Sequence, residues 1–228
     1  MVAVENRTLS QQVYEHVRAE ILSGRYQPST ELNEVAAAEE LGVSRGPVRE
    51  AFGRLGAEGL IELRPHRGAR VSELTKDEFL DAYEMREGLE GFALRAAVPK
   101  LTPPLVQEMT AVCAAMEEAA TRNDIDVFFE ANGRFHRMFV DAADNTHLTR
   151  FYESLTAQMG RYRHVSVKLR GEISLSVAEH RRILDAAIAG DVNKAADLAE
   201  AHVRVPQHAI KMLSDTQWVE LRTIATDS

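Results

Sequence analysis

The 228-residue sequence contains a single cysteine, Cys113, and no run of 18 apolar residues. One cysteine cannot form an internal disulfide, so we expect a protein of a reducing cytoplasm, with Cys113 as a small buried residue of a helix. The missing apolar run predicts that no transmembrane helix is present. The first ten residues lack a basic start followed by an apolar core, so no signal peptide is predicted.

Positive charge is also scarce, since the formal net charge is −8. Its distribution is uneven. Residues 44–72 carry six arginines and three acidic residues, a local balance of +3, whereas residues 73–228 carry 18 basic and 25 acidic residues, a balance of −7. The sequence therefore predicts a basic segment that attracts anions, followed by an acidic domain.

The segment 41–50 is typical of the turn and second helix of a helix-turn-helix. Gly42 is a residue that tolerates the left-handed backbone of a tight turn. Ser44 is a predicted N-cap, because its hydroxyl oxygen can accept a hydrogen bond from a free amide at the helix start. Pro47 falls in the first turn, where its missing N–H removes no hydrogen bond.

The predicted helix has two different faces. Arg45 and Arg49 are four residues apart and share one face, while Val48, Phe52 and Leu55 point from the other into a core. An ordinary solvated helix is the alternative for a single arginine-rich amphipathic segment. A short helix with one arginine face, entered through a tight turn, is what a DNA major groove accepts.

A basic hairpin follows and favours DNA binding over that alternative. Residues 60–64 alternate like a strand, a turn follows, and residues 69–71 read as a returning strand. This pattern predicts a two-stranded wing. Its tip carries His66 and Arg67 beside Gly68, where the backbone can approach a sugar-phosphate chain closely.

Residues 8–72 resemble the winged helix of the GntR transcription regulators. The matching segments are 21–24, 32–34, 41–50, 54–55, 58–61 and 67–68, with Val71. The resemblance implies DNA contacts from the helix cap, the recognition helix and the wing tip, which here are Ser44, Arg45, Gly46, Arg49, His66, Arg67 and Gly68. Gly46 replaces a common Thr or Ser, and Val35 replaces a basic residue of some members, which leaves the operator sequence open.

The rest of the chain predicts helices only. The fold class is mainly α: a winged helix-turn-helix domain, 1–72, precedes an all-helical antiparallel bundle, 73–228. The first domain is predicted to begin with helices at about 9–23 and 31–40. The bundle segments are about 75–98, 103–122, 124–142, 146–168, 173–189 and 192–213. The tail from Asp215 is predicted to be only partly ordered, with Trp218 packing back on the body or on a partner.

Three histidines of the bundle are predicted to converge. Asn132 and His136 are four residues apart and face one point. His180 and His202 lie ten and eleven residues from the turn at 190–191, so each is roughly 15 Å from it and the two are level in an antiparallel hairpin. Side-by-side imidazoles with an amide suggest a metal site inside the bundle. The alternative is three core histidines without a metal.

Residues 75–213 resemble the FCD domain that follows the winged helix in the FadR-like GntR subgroup. The matching residues lie at 83–86, 90, 135–136, 179–180, 183–184 and 201–202. The resemblance implies a divalent metal bound by three histidines and an Asp, whose position is Asn132 here. An amide offers only a neutral oxygen, so we expect a weaker metal site that an anionic effector completes. Zn or Ni suits such ligands.

Arg86 is the predicted partner for an effector carboxylate, with Tyr83 nearby on the same helix, because an arginine fork holds a carboxylate bidentately. The alternative is a surface Arg86–Glu90 pair at i,i+4.

The sequence thus predicts a cytoplasmic homodimeric regulator, no enzyme and no membrane protein. As a repressor it binds a near-palindromic operator, and a small organic acid releases it by shifting the winged helices. The alternatives are a metal sensor without organic effector and a metal-dependent hydrolase, for which a general base is missing.

Overall fold

A computed structural model describes residues 7–65, 67–160, 162 and 173–224. The chain divides into two compact units. The first contains residues 7–75 together with 156–160, and the second contains 76–155 together with 162 and 173–224. Within these ranges, no helix has the length and apolar character that crossing a membrane requires.

The first unit is a helical cluster with a small sheet. Its elements are α1 (Leu9–Leu22), β1 (Glu31–Leu32), α2 (Glu34–Glu40), α3 (Arg45–Ala57), β2 (Ile61–Arg64) and β3 (Gly68–Val71). The strands form one antiparallel sheet in the order β1-β3-β2. Apolar residues of α1, α3 and the sheet fill the core, among them Val17, Ile21, Val48, Phe52 and Leu55.

The prediction of a helix from residue 31 was wrong at its start. Glu31 and Leu32 form β1 and pair with Arg70 and Ala69 of β3, so the predicted two-stranded wing belongs to a three-stranded sheet. The helix begins only after Asn33, whose side chain accepts hydrogen bonds from the amides of residues 35 and 36. Because β3 is distant from β1 in sequence, the residues around position 31 do not indicate this pairing.

The helix-turn-helix turn forms as predicted, with one difference. Gly42 has φ +64° and therefore occupies the left-handed region. Ser44 is the N-cap of α3, but its hydroxyl makes no capping hydrogen bond in the described part of the chain. Pro47 falls in the first turn of α3. The position of the cap was thus confirmed, whereas the predicted capping bond was wrong and the Ser44 hydroxyl is not held by its own helix.

The second unit is a helical bundle. Its elements are α4 (Lys76–Ala97), a 3₁₀ turn (Val98–Lys100), α5 (Pro103–Arg122), α6 (Ile125–Ala142), α7 (Thr146–Gly160, of which residues 156–160 belong to the first unit), α8 (Ile173–Ile188), α9 (Val192–Lys211) and α10 (Asp215–Ile224). Helix α9 packs on α4 and α8, while α6 packs on α4 and α5. The predicted helix ends agree to within about two residues, except that the predicted stretch after Gly160 falls mostly outside the described residues.

Two details of the bundle concern predicted residues. The tail from Asp215 was predicted to be only partly ordered, which is wrong for residues 215–224, since they form α10. Trp218 packs on the body at 5.0 Å between ring centroids from Phe79, so burial of one large side chain anchors the helix. Cys113 is buried as predicted, and burial raises the pKa of its thiol to about 11.

Candidate nucleic-acid interface and metal centre

A groove on the surface of the first unit brings together most of the predicted DNA-contacting residues. It lies where the start of α2, the helix α3 and the hairpin β2–β3 meet. Its lining residues are Asn33, Glu34, Val35, Arg45, Arg49, Arg64, Arg67 and Gly68. Four arginines in one groove, two on a helix and two on a hairpin, form a surface that attracts phosphate.

The two arginines of α3 share one carboxylate, for which the sequence offers little signal. Glu34, the first residue of α2, places Oε2 3.1 Å from Nη2 of Arg49 and 3.6 Å from Nη2 of Arg45. The hydrogen bond from Arg49 is the main cause that lowers the pKa of Glu34 below its ordinary value. Glu34 and Arg49 are 15 residues apart in the sequence. The only sequence signal for Glu34 was that it lies in a segment, 32–34, that matches the GntR winged helix.

The hairpin presents its basic residues differently. Arg64 donates to Oε1 of Glu31 at 2.7 Å, and Arg67 is exposed at the turn. Gly68 has φ +87°, and a Cβ there would lie 2.4 Å from the carbonyl oxygen of Leu32. Gly68 is therefore required for the close packing of β3 on β1, a reason independent of phosphate approach. His66 lies outside the described residues.

Gly46 lies in the first turn of α3 and is exposed. A Cβ built on this residue would meet no atom within 4 Å among the described residues. The chain therefore has room for the Thr or Ser that the family resemblance implies at this position. The absence of a side chain here is a property of the sequence and is not imposed by packing.

In the second unit, His136, His180 and His202 converge as predicted. They lie on α6, α8 and α9, are at most 5% exposed, and offer ligand nitrogens that all lie within 4.8 Å of one another. The rings of His180 and His202 are 4.3 Å apart between centroids, which confirms that the two residues are level in the α8–α9 hairpin.

Each imidazole has an oxygen close to its Nδ1 atom, and for His180 and His202 the contact is a hydrogen bond. Nδ1 of His180 lies 2.6 Å from the carbonyl oxygen of Ser176, and Nδ1 of His202 lies 2.6 Å from Oε2 of Glu179. Nδ1 of His136 lies 2.7 Å from Oε2 of Glu90. These contacts favour the tautomer that is protonated at Nδ1, so the Nε2 lone pairs remain available as ligands.

The Nε2 atoms of His136 and His180 approach each other to 3.1 Å. If both rings are protonated at Nδ1, two lone pairs face each other, and this contact is repulsive unless a cation lies between them. Two imidazole nitrogens bound to one tetrahedral zinc lie roughly 3.3 Å apart, from a zinc–nitrogen distance of about 2.05 Å. The cluster therefore fits a bound metal ion, and one extra proton is the alternative cation.

The predicted effector contacts, Arg86 and Tyr83, and the predicted ligand Asn132 have different surroundings. Arg86 donates through Nε to Oε1 of Glu90 at 2.6 Å, and both side chains are largely buried, at 17% and 1% exposed. The i,i+4 pair that was the alternative for Arg86 is thus present, although it is buried instead of lying on the surface. Tyr83 is buried on the same helix. Asn132 is half-buried one turn before His136, and its part in metal binding stays a prediction.

The negative charge of the buried Glu90 is balanced by its neighbours. Burial raises the pKa of Glu90, but the Arg86 guanidinium and His136 outweigh it and hold the pKa below the ordinary range. Tyr152 is buried beside the pair and hydrogen-bonds Arg86, and burial, with the nearby Glu90 charge, raises the pKa of the phenol. Glu90 and Glu179 therefore supply negative charge behind two of the three imidazoles. In the sequence, both glutamates were recognisable only as positions of the family resemblance, and Glu90 also as a pair for Arg86.

A winged helix with an arginine-lined groove, joined to a helical domain with a buried histidine cluster, defines the class of DNA-binding transcription regulators. Residues 9–71 match the bacterial regulatory proteins of the gntR family, and residues 81–205 match the FCD domain. The chain belongs to the GntR family and carries an FCD domain. The family is one of transcription regulators and not of enzymes, which answers the hydrolase alternative.

Similar proteins agree with this assignment. A probable D-xylose utilization operon transcriptional repressor of Paenarthrobacter nicotinovorans is 35% identical over 86% of both chains. The gluconate operon transcriptional repressor of Bacillus subtilis is 30% identical over 74% of this chain and 68% of its own. The structure of E. coli McbR/YncC shares the fold with a TM-score of 0.73 at 23% identity, covering 86% of this chain and 94% of that one.

Proposed function

We propose that the chain is a repressor that binds a near-palindromic operator as a homodimer in the cytoplasm and is released by a small organic acid. Residues 1–72 bind one operator half-site, and residues 73–228 bind the effector and the partner subunit. Two relatives are named as operon repressors, one of them for gluconate, which is a small organic acid. An effector changes operator affinity only by binding the two states of the dimer unequally.

The DNA-binding part of this proposal rests on the groove. Arg45 and Arg49 project from one face of α3 with 59% and 66% of their side chains exposed, while Arg64 and Arg67 lie beside them on the hairpin. A recognition helix in the major groove with a wing on the backbone places all four near phosphates or base edges. Ser44, whose hydroxyl is not used as a cap, His66 and Gly46 complete the proposed contacts.

The effector part rests on one observation, which is the 3.1 Å approach of two Nε2 atoms that face each other inside the histidine cluster. His136, His180 and His202 would hold the metal, with the Asn132 carbonyl oxygen as a further neutral ligand, and zinc or nickel fits these donors. When bound, the metal supplies positive charge for an anionic ligand. Glu90 and Glu179 hold the rings of His136 and His202 in the orientation that ligation requires.

The buried Arg86–Glu90 pair refines where the acid binds. Glu90 already occupies Nε of Arg86 and also contacts His136, so an effector carboxylate that took the place of Glu90 would disrupt both contacts. Leaving the buried Glu90 without its arginine would cost several kcal/mol, about as much as a good carboxylate–arginine contact returns. We therefore place the effector carboxylate at the metal, with Arg86 and Tyr83 as the shell behind it.

Elemental analysis of the purified protein, without added metal or chelator, tests the metal. Near-stoichiometric zinc or nickel in the wild type, and its loss in His180→Ala, is the expected result. A matched control is His147→Ala, which removes a histidine of α7 that lies outside the cluster. Absence of metal in the wild type, also after dialysis against zinc, would contradict the metal site and leave the three histidines as core residues.

Selection of bound duplexes from a random-sequence pool tests operator binding, and sedimentation of the complex gives its stoichiometry. We expect an inverted-repeat sequence bound by two chains. Candidate acids, gluconate among them, are then added to the complex with and without zinc. Release by an acid supports the effector; release by the metal alone would favour the metal-sensor alternative, and a single bound chain would contradict the dimer.

A further inference from the structure

We propose that Glu34 is a positioning residue for DNA recognition, which orients Arg49 and Arg45 toward base edges and lowers the affinity for non-cognate DNA. This inference rests on the proposed DNA-binding function of the groove and adds a specificity-determining residue to it. Glu34 carries negative charge, as do the phosphates of the DNA that the groove is proposed to bind, so its presence there requires an explanation of its own.

The contacts of Glu34 fix the guanidinium of Arg49. Its Oε2 accepts from Nη2 at 3.1 Å and from Nε at 3.4 Å, so two nitrogens of one arginine face the same carboxylate oxygen. Nη2 of Arg45 lies 3.6 Å from the same oxygen. The arginine side chains are mostly exposed, whereas that of Glu34 is only 23% exposed. The half-buried carboxylate is thus the fixed point around which two exposed arginines are arranged.

Glu34 is itself held by the local backbone. It is the first residue of α2, and Asn33 caps that helix through two hydrogen bonds to amides. The cap does not involve the Glu34 carboxylate. Replacement of the carboxylate by the amide of the same shape should therefore leave α2 and its packing intact, so the charge can be removed without loss of the fold.

The same short segment supplies a second carboxylate that pairs with an arginine of the groove. Glu31 of β1 accepts from Nη1 of Arg64 at 2.7 Å. Residues 31 and 34 lie on either side of Asn33, and each neutralises arginines of a different element, the hairpin and α3. Three of the four groove arginines therefore have an internal carboxylate partner, so the free groove is less positive than its arginine content indicates.

Two consequences follow from this arrangement. An arginine reads guanine through two parallel hydrogen bonds, which requires its planar group to be held in one orientation, and a carboxylate behind it provides that orientation. The same carboxylate repels the phosphate backbone and removes one positive charge from the counterion balance, which weakens binding to any sequence. Glu34 is therefore expected to lower non-cognate affinity more than cognate affinity, and so to raise the ratio of the two.

The test compares the full-length wild type with Glu34→Gln. The two probes are a duplex that the wild type selects from a random pool and a scrambled duplex of the same length and composition. Dissociation constants are measured over a range of salt concentrations. We expect the variant to bind the scrambled duplex severalfold more tightly, with a salt dependence steeper by about one released counterion. The ratio of cognate to non-cognate affinity should fall about tenfold.

Two controls separate orientation from simple charge. Glu39→Gln removes the same charge from an exposed position at the other end of α2, and it should leave the affinity ratio within about twofold of the wild type. In an Arg49→Ala background, Glu34→Gln should have little further effect on the ratio, because the residue acts through that arginine. Thermal melts confirm that each variant is folded.

The outcomes are distinct. A Glu34→Gln ratio within twofold of the wild type, or equal to that of Glu39→Gln, would overturn the positioning role, whatever happens to the non-cognate affinity. An equally large effect in the Arg49→Ala background would overturn the route through that arginine. If the wild type selects no sequence from the pool and binds both probes alike, the proposed operator-binding function itself fails, and this inference fails with it.

Discussion

Two of the glutamate–arginine pairs, one in each unit, have opposite surroundings. In the groove, Glu34 faces Arg49 at 3.1 Å with 66% of the arginine side chain exposed. In the bundle, Glu90 faces Arg86 at 2.6 Å with 1% and 17% of the two side chains exposed. An exposed pair contributes at most about 1 kcal/mol and is weakened by salt, so it can exchange partners. A buried pair is costly to break.

This difference separates the tasks of the two regions. The arginines of the groove must share their carboxylate with DNA, and only an exposed pair leaves them accessible to it. The arginine in the bundle neutralises a carboxylate that contacts the candidate metal ligand His136, and only a permanent pair keeps that imidazole in one orientation. Similar side-chain chemistry thus serves a reversible contact in one unit and a fixed scaffold in the other.

The largest expected effect is on the buried pair. Glu90→Gln leaves the Arg86 guanidinium without its carboxylate in a largely buried place, so the free energy of unfolding should fall by about 3 kcal/mol. Urea denaturation measures the change. The matched control, Glu87→Gln, breaks the more exposed pair between α4 and Arg204 and should cost less than about 1 kcal/mol. Equal losses for the two variants would remove the contrast between buried and exposed pairs.

The next expected effect tests whether the carboxylates of the bundle hold the histidines in the orientation that metal binding requires. Glu179→Gln weakens the acceptor at Nδ1 of His202, and the affinity for zinc should fall about 10- to 100-fold, because the oriented and polarised imidazole is a better ligand. Competition with a chromogenic chelator measures the affinity. Glu117→Gln, which breaks an exposed pair with Arg181, serves as the control. A zinc affinity unchanged by Glu179→Gln would mean that the carboxylate does not support the ligand.

A smaller effect on stability is expected in the groove. Arg49→Ala removes the exposed partner of Glu34, and the free energy of unfolding should change by no more than about 0.5 kcal/mol. Affinity for the selected duplex should nevertheless fall about tenfold or more, as for a residue that contacts DNA. Denaturation and DNA titration of the same preparation test both parts. A large loss of stability would show that the exposed pair is structural after all.

A further effect concerns a pair of intermediate exposure. Tyr14 donates to Oε1 of Glu58 at 2.5 Å, and burial, that hydrogen bond and the Glu58 charge raise the pKa of the phenol from 10.0 to about 12. A raised pKa stabilises the folded state below pH 10, and this contribution is lost as the pH rises through 12. The wild type should therefore exceed Tyr14→Phe in stability at pH 8 by about 1 kcal/mol.

The pH dependence gives the decisive measurement for this pair. The stability difference between the wild type and Tyr14→Phe should shrink as the pH rises from 10 toward 12, because the ionised phenol is repelled by Glu58. Denaturant midpoints of both proteins across this range follow the difference, and the other tyrosines cancel in the comparison. A difference that stays constant to pH 12 would contradict the raised pKa.

Most of the helices could be predicted, and so could the convergence of the histidines. The signals for caps, glycine turns and apolar periodicity each lie within a few residues of sequence. The bounds of α1 and of α4 to α6 were therefore predicted closely. The alignment of His180 with His202 needed only the helical rise and the position of one turn. The pairing of β1 with β3 depends on a distant partner and was missed, and the contact of Trp218 with Phe79 likewise depends on tertiary structure, although packing of Trp218 on the body or on a partner was predicted.

The sequence by itself determined the two kinds of structure in the chain, the turn and arginine face of α3, and the three imidazoles as candidate ligands. These follow from backbone preferences and from spacing along single helices or one hairpin. Tertiary structure alone decided which carboxylates stand behind them: Glu34 behind Arg49, Glu90 behind His136 and Glu179 behind His202. Such partners meet through packing between elements, and neither charge nor periodicity in the sequence records which of 35 acidic residues will be the neighbour.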